Sequence, residues 1–228
     1  MGRAVESRKI LIIFYSFSSQ TRNVVNGLVK GLEEGGVEVL TEQLRPVRPL
    51  PFPTGSYLKA FRLMTAAFLK MPVAVSPPDR RCYGSWDLVI CAGPTWSYHP
   101  SGPMLYFLRT SAAELLAGRH VLPLICCRTY WRLHARELSA LLRAAGARVL
   151  QPLVFQHPLP GFWCAVGVFV KLAGKTPRFL RPMLQSHCPR FGVTAQQIDE
   201  AREMGKKLAQ VVQAGEVDQD FRCARQPR

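Results

Sequence analysis

Two hydrophobic rhythms take turns along this chain. Lys9 to Tyr15 (KILIIFY) is an unbroken apolar, β-branched run, the pattern of a strand covered on both faces. From Thr21 to Glu34 the spacing changes, and Val24, Val25, Leu28, Val29 and Leu32 share one helical face until Gly35 and Gly36 stop it. Val37 to Leu44 reads as a second strand, and the unit then repeats. Trp86 to Ala92 (WDLVICA) predicts a third strand, Gly102 to Leu116 a helix, and Val121 to Cys127 (VLPLICC) a fourth strand despite its proline. Leu133 to Ala145 has helical periodicity and ends at Gly146, and Arg148 to Phe155 predicts the fifth strand. The last helix has the clearest ends: Thr194 and Gln197 have capping-box spacing, and Gly215 closes it. Residues 217–228 are polar and read as a frayed, flexible tail.

Strands separated by helices need right-handed crossovers, so a parallel sheet with helices on both faces is expected. Five strands opening on a loop of phosphate-binding type point to the strand order 2-1-3-4-5. Ligands of such sheets sit beyond the carboxyl ends of the strands, which singles out the loops after strands one, three and four. A length of 228 residues suits one domain over 1–228. Two segments exceed this plan. Residues 45–85 begin Pro-rich and contain a basic amphipathic stretch, Tyr57 to Lys70 (YLKAFRLMTAAFLK). Residues 157–192 contain Phe162 to Val170 (FWCAVGVFV), followed by Lys171 and Lys175. Both are longer than ordinary loops and are expected to fold locally or to carry a function.

The first loop, Ser16-Phe17-Ser18-Ser19-Gln20-Thr21, joins a strand to a helix N-terminus, where amides and the helix dipole favour a phosphate. Its hydroxyl side chains are short enough for close approach. Arg22 is badly placed against that dipole unless an anion is bound. The second loop, Gly93-Pro94-Thr95-Trp96-Ser97-Tyr98-His99-Pro100, offers a large aromatic face at a strand end. The third, Cys127-Arg128-Thr129-Tyr130-Trp131-Arg132, offers two more aromatics.

With these loops in this order the chain resembles the flavodoxin family, whose phosphate loop reads Ser/Thr-x-Ser/Thr-Gly-x-Thr. Ser16, Ser18 and Thr21 match it in identity and spacing, and Ser19 stands where the family has glycine. The Gly93-Pro94-Thr95-Trp96 string is similar to that of flavodoxin-like oxidoreductases, where a tryptophan often lies against the ring of flavin mononucleotide (FMN). Tyr130 and Trp131 fall where the family carries its second stacking residue, often a tyrosine. The resemblance implies a flavodoxin-like three-layer α/β sandwich that binds FMN. Ser16, Ser18, Ser19, Gln20 and Thr21 would meet the phosphate; Pro94, Thr95, Trp96, Ser97, Tyr98, Cys127, Arg128, Tyr130 and Trp131 would flank the ring. His99 is a candidate proton or hydrogen-bond donor at the flavin edge. The two insertions lie outside the resemblance.

Charge changes this picture. The net charge is +15, whereas many flavodoxins are acidic. Anionic partners follow: nucleic acid, an anionic membrane surface or an acidic protein. The positive charges are scattered and no nucleic-acid motif accompanies them, so nucleic acid is the least expected. Arg22, Arg128 and Arg132 would stabilise an anionic reduced flavin. Two roles stay open: an electron carrier for an acidic redox protein, or a reductase taking electrons from a nicotinamide for a quinone-like acceptor.

The N-terminus carries no secretory pattern, and no run reaches the roughly 18 apolar residues of a membrane span. A cytoplasmic protein is expected, with peripheral attachment to the inner face of a membrane and a homodimer both left open. Seven cysteines without a Cys-x-x-Cys pair suggest buried, reduced thiols and neither a metal site nor a dithiol motif.

Three rival readings are weaker. Cys126 and Arg132 have cysteine-phosphatase spacing, but Tyr130 and Trp131 crowd the intervening loop and no Ser or Thr follows the arginine. Gly174-Lys175-Thr176 fails as a P-loop because Phe169 occupies a required glycine position. A flavodoxin-like scaffold that binds partners without FMN is the non-enzymatic alternative.

Overall fold

Ile10, Leu11, Ile12 and Ile13 of the first strand are all fully buried, and this strand dictates the layering of the structure. The computed structural model of the chain describes residues 8–128, 130–156, 162–187, 192–215 and 217, so the tail expected beyond Val217 lies outside the described residues. The strands are β1 (Lys9–Phe14), β2 (Glu38–Gln43), β3 (Leu88–Trp96), β4 (His99–Pro100), β5 (His120–Cys127), β6 (Arg148–Val149) and β7 (Leu153–Gln156). The helices are α1 (Gln20–Glu34), α2 (Tyr57–Phe68), α3 (Gly102–Thr110), α4 (Ala112–Leu116), α5 (Trp131–Ala144), α6 (Phe162–Ala173), α7 (Arg181–His187) and α8 (Ala195–Ala214).

Side chains alternate across a strand, so β1 sends Ile10, Ile12 and Phe14 into one apolar cluster. Leu11, Ile13 and the following Tyr15 enter another. Helices α1 and α8 close the first cluster, and α3, α4 and α5 close the second. The parallel sheet runs β2-β1-β3-β5, with β6 and β7 both pairing with β5. That is the expected order 2-1-3-4-5, with the fifth strand in two pieces. Leu150, Gln151 and Pro152 separate them, and Pro152 has no N–H for the ladder. The seventh strand, β4, is a short antiparallel return on β3.

The helix expected over Gly102–Leu116 breaks at Ser111 into α3 and α4. Thr110 Oγ1 donates to the Tyr106 carbonyl at 2.9 Å, a local bond that competes with the helical track. The capping box of α8 forms as expected: Gln197 N–H donates to Thr194 Oγ1 and Thr194 N–H to Gln197 Oε1, each at 3.2 Å. Gly215 closes the helix at φ +74°.

The two insertions fold against each other. α2 packs on α6, with Ala60 against Leu172 and Ala173 and with Phe17 of the first loop at the edge of this small core. Thr54 donates to the Leu172 carbonyl from both its N–H (2.8 Å) and its Oγ1 (3.0 Å). Tyr57 OH donates to the Lys175 carbonyl at 2.7 Å, and its ring stacks on Phe169 at 5.8 Å. Among the described residues no helix is long and apolar enough to cross a membrane.

α1 packs closely on α8, and glycine makes the approach possible. A Cβ on Gly31 would lie 1.9 Å from the Arg202 carbonyl oxygen and 3.0 Å from Gly205 Cα. Gly31→Ala must therefore separate the helices and is expected to cost about 2 kcal/mol, or ~6 °C in melting temperature. Asn26→Ala on the exposed face of α1 should leave it nearly unchanged. Thermal unfolding followed by circular dichroism checks the pair; equal melting of both variants and the parent would contradict this packing.

Candidate functional site

Strand register brings the three singled-out loops to one edge. Phe14 pairs with Ala92, and Pro94 pairs with Cys126, so the segments after β1, β3 and β5 leave the sheet side by side.

The first loop turns sharply into α1. Ser16 is buried, and its Oγ accepts the Arg22 N–H at 3.2 Å. Ser18 and Gln20 are half-buried and Ser19 is exposed. Ser19 takes φ +62°, ψ −3°, a left-handed conformation usual for glycine and strained for serine. The N-cap Ser19 makes no side-chain bond to α1, so Ser16 Oγ holds a first-turn amide in its place, and no acidic residue occupies that turn. Thr21 is buried, with its hydroxyl toward the Cys126 thiol at the end of β5. Gln20 ties the loop to the far end of the second insertion by accepting the Val193 N–H on its Oε1. Beside this loop an open cleft of about 230 Å³ is lined by Tyr15, Ser16, Phe17, Gln43, Arg45 and Pro49, among others.

The second loop is a hairpin. Trp96 at the end of β3 pairs with His99 of β4 across a two-residue turn in which Ser97 (φ +43°) and Tyr98 (φ +76°) are both left-handed. Ser97 Oγ donates to the Met64 carbonyl at 3.2 Å, joining the hairpin to α2. Trp96 is half-buried and sits in an aromatic cluster. It meets Tyr15 and Phe17 in edge contacts at 5.7 and 5.3 Å, and Phe17 meets Phe52 at 5.1 Å. Trp96 therefore forms part of a wall and does not stand as an open platform.

The freer aromatics are Tyr98, 44% exposed, and Tyr130, 68% exposed at φ +58°. Their ring centroids lie 5.2 Å apart, edge to face, so the second and third loops touch through them. Cys127 is buried in β5, Arg128 is half-buried, and Trp131 packs on the core with the Arg132 guanidinium 5.7 Å from its ring. Pro94 and Thr95 lie half-buried at the end of β3.

Beneath the hairpin is a polar layer that sequence reasoning missed. Thr95 Oγ1 and His134 Nδ1 are 2.7 Å apart, and His99 Nδ1 and Glu137 Oε2 are 2.6 Å apart. Glu137 also pairs with Lys70 Nζ at 3.1 Å. His99, taken from sequence as a donor at the flavin edge, is only 7% exposed and is held by Glu137 inside the fold. His134 and Glu137 are three apart on α5, a spacing that could have marked them as neighbours turned to one side. Burial, aided by His99, pushes His134 down to about 3, so it is neutral at pH 7.

Burial also pushes the thiols of Cys126 and Cys127 up to about 12. Cys126 is buried in the cluster beneath α1 and α8, with Thr21 as its hydrogen-bond partner.

No family model and no curated protein matches the chain. Solved structures do match it in fold. A flavoprotein from Lactobacillus acidophilus NCFM, determined in complex with FMN, superposes with a TM-score of 0.52 at 16% identity, over 65% of this chain and 93% of that one. A Bacteroides eggerthii protein superposes at 0.50 and 15% identity, over 74% and 99%. The rubredoxin oxygen:oxidoreductase of Desulfovibrio gigas does so at 0.50 and 10% identity, over 92% of this chain and 38% of that one. The chain has the flavodoxin-like fold, and identities this low speak of fold alone.

His134 gives the site a pH signature. Its pKa is lowered on folding, so its contribution to stability is complete above about 6.5 and is lost as pH falls toward 3. The urea midpoint should therefore fall between pH 7.5 and pH 5. His134→Gln removes the titrating ring, so its midpoint should fall clearly less over that interval. Parallel pH dependences in parent and variant would show that His134 is not buried in its neutral form.

Proposed function

We propose that this chain binds FMN at the carboxyl edge of its sheet and works as a redox protein. The observation that carries the reading is the turn into α1. Ser19, the one departure from the flavodoxin phosphate-loop pattern, adopts the left-handed conformation for which that position ordinarily needs glycine. Strain of this kind persists where the surroundings enforce it, commonly at binding sites. The start of α1, where Ser19 makes no capping bond of its own and the first turn holds no acidic residue, suits an anion.

The residues present fit the cofactor at its phosphate end. Ser16, Ser18, Ser19, Gln20 and Thr21 would hold the phosphate, with Arg22 adding charge. Residues 94–98 and 127–131 would flank the ring. A planar ring between Tyr98 and Tyr130 needs roughly 7 Å between their faces, two van der Waals gaps. At 5.2 Å between centroids one tyrosine has to swing aside, and Tyr130 is the more exposed. FMN would supply the electron-accepting ring, and the protein would tune it through position and charge. Arg22, Arg128 and Arg132 favour electron density on the ring.

The basic surface favours a reductase that takes electrons from a nicotinamide for a quinone-like acceptor, or a carrier for an acidic redox protein. If the acceptor is a lipid-soluble quinone, the first role belongs at the inner face of a membrane. The phosphatase reading loses its nucleophile, since a thiol with a pKa of about 12 is protonated at neutral pH.

A charge placed in the loop tests the cofactor site without disturbing the fold. Ser18→Asp adds an anion just before α1, which is neutral or favourable for the helix and repels a phosphate. FMN affinity should fall at least tenfold, riboflavin affinity should stay within about twofold, and melting temperature should not drop. Equal losses for both flavins, or no loss for FMN, would remove the phosphate from this loop.

A further inference from the structure

The two insertions that pack together share an unusual composition. No acidic residue occurs between Leu44 and Pro78, nor between Leu138 and Ile198. Both stretches carry lysines and arginines. Several carboxylates elsewhere are held in ion pairs, among them Glu34 with Arg202 and Asp87 with Arg8.

α2 is also apolar on the side it does not bury. Ala60 and Ala67 face α6, with Leu63 half-buried beside them. The opposite side presents Leu58 (58% exposed), Phe61 (61%), Phe68 (59%) and, just past the helix, Leu69 (63%). Spacings of three, seven and eight residues put these on one face, with Lys59 and Arg62 exposed along its border. Tyr57 at the start of α2 hydrogen-bonds the Lys175 carbonyl. Four residues further on, Phe179 is 75% exposed, with Arg178 and Arg181 on either side of the Phe179–Leu180 pair. Large aromatics at this exposure are costly in water.

We infer that the outer face of α2, together with the Phe179 turn, docks the protein onto an anionic lipid surface. Apolar side chains enter the headgroup boundary while lysine and arginine reach the lipid phosphates along their aliphatic stems. Charge argues for this occupant over a second copy of the chain. A two-fold contact would set two acid-free basic faces against each other, whereas anionic lipid complements them. The hairpin that carries Tyr98 is hydrogen-bonded to Met64 of this helix, so docking would bring the carboxyl-edge loops near the membrane, where a lipid-soluble acceptor is found. The docking rests on the two insertions and does not require flavin.

Co-sedimentation of the full chain with large unilamellar vesicles tests it. One set is phosphatidylcholine alone and the other contains about 30 mol% phosphatidylglycerol, which supplies the anionic surface. Binding is expected to the anionic vesicles at low salt, at least tenfold weaker to the neutral ones, and lost at high salt. The double variant Phe61→Ser, Phe68→Ser should lose binding at least tenfold while keeping the net charge, and Lys59→Glu, Arg62→Glu should lose it as well. Circular dichroism should show both variants folded, since all four side chains are exposed. Two results overturn the docking. One is no binding to anionic vesicles at low salt, including the case of a concentration-dependent dimer that Phe61→Ser, Phe68→Ser abolishes. The other is binding undiminished by Phe61→Ser, Phe68→Ser, which would reduce it to general attraction of a basic protein.

Discussion

A strand that is apolar on both sides has to be covered on both sides, and this requirement organises the whole structure. β1 and its neighbours β3 and β5 divide their side chains between two cores, so helices must lie above and below the sheet. Returning from a helix to a parallel strand always brings the chain back to the same edge. The loops after β1, β3 and β5 therefore meet at the carboxyl ends, whatever their sequences. What those sequences add is a strained serine turn, a hairpin with two left-handed residues, and a left-handed tyrosine opening α5.

The insertions alter what such an edge can do. A bare sheet edge would expose Phe17 and Trp96; here the core between α2 and α6 reaches Phe17, and Phe17 in turn supports Trp96. The hairpin is held from two directions, by Met64 on α2 and by His134 and Glu137 on α5. The same polar layer reaches Lys70, next to the end of α2, through Glu137. Changes in the position of α2 thus have a short physical route to the ring-end loops.

The strands, most helices and the ends of α8 were legible in the sequence because each depends on local periodicity or on a cap, and the strand order followed from crossover handedness and the type of the first loop. The first loop was legible for the same reason, as hydroxyl residues between a buried strand and an amphipathic helix. Details set by distant partners were not. Trp96 reads as an exposed aromatic until Tyr15 and Phe17 are known to meet its edges. His99 reads as a donor at the flavin edge until Glu137, on another element, is seen to hold its Nδ1 at 2.6 Å. The contact between Thr54 and Leu172 spans 118 residues, and nothing local to either insertion announces the other. Pro152 was visible in the sequence, yet its effect of splitting a strand depended on where the ladder with β5 ran.

Binding of FMN at the carboxyl edge is read straight from the visible absorption spectrum. Purified, folded protein should be mixed with substoichiometric FMN and compared with FMN alone. Binding at the carboxyl edge gives a shifted, structured flavin band and a flavin that stays with the protein through gel filtration. An unperturbed spectrum, with all the flavin eluting free from a protein shown to be folded, would contradict it.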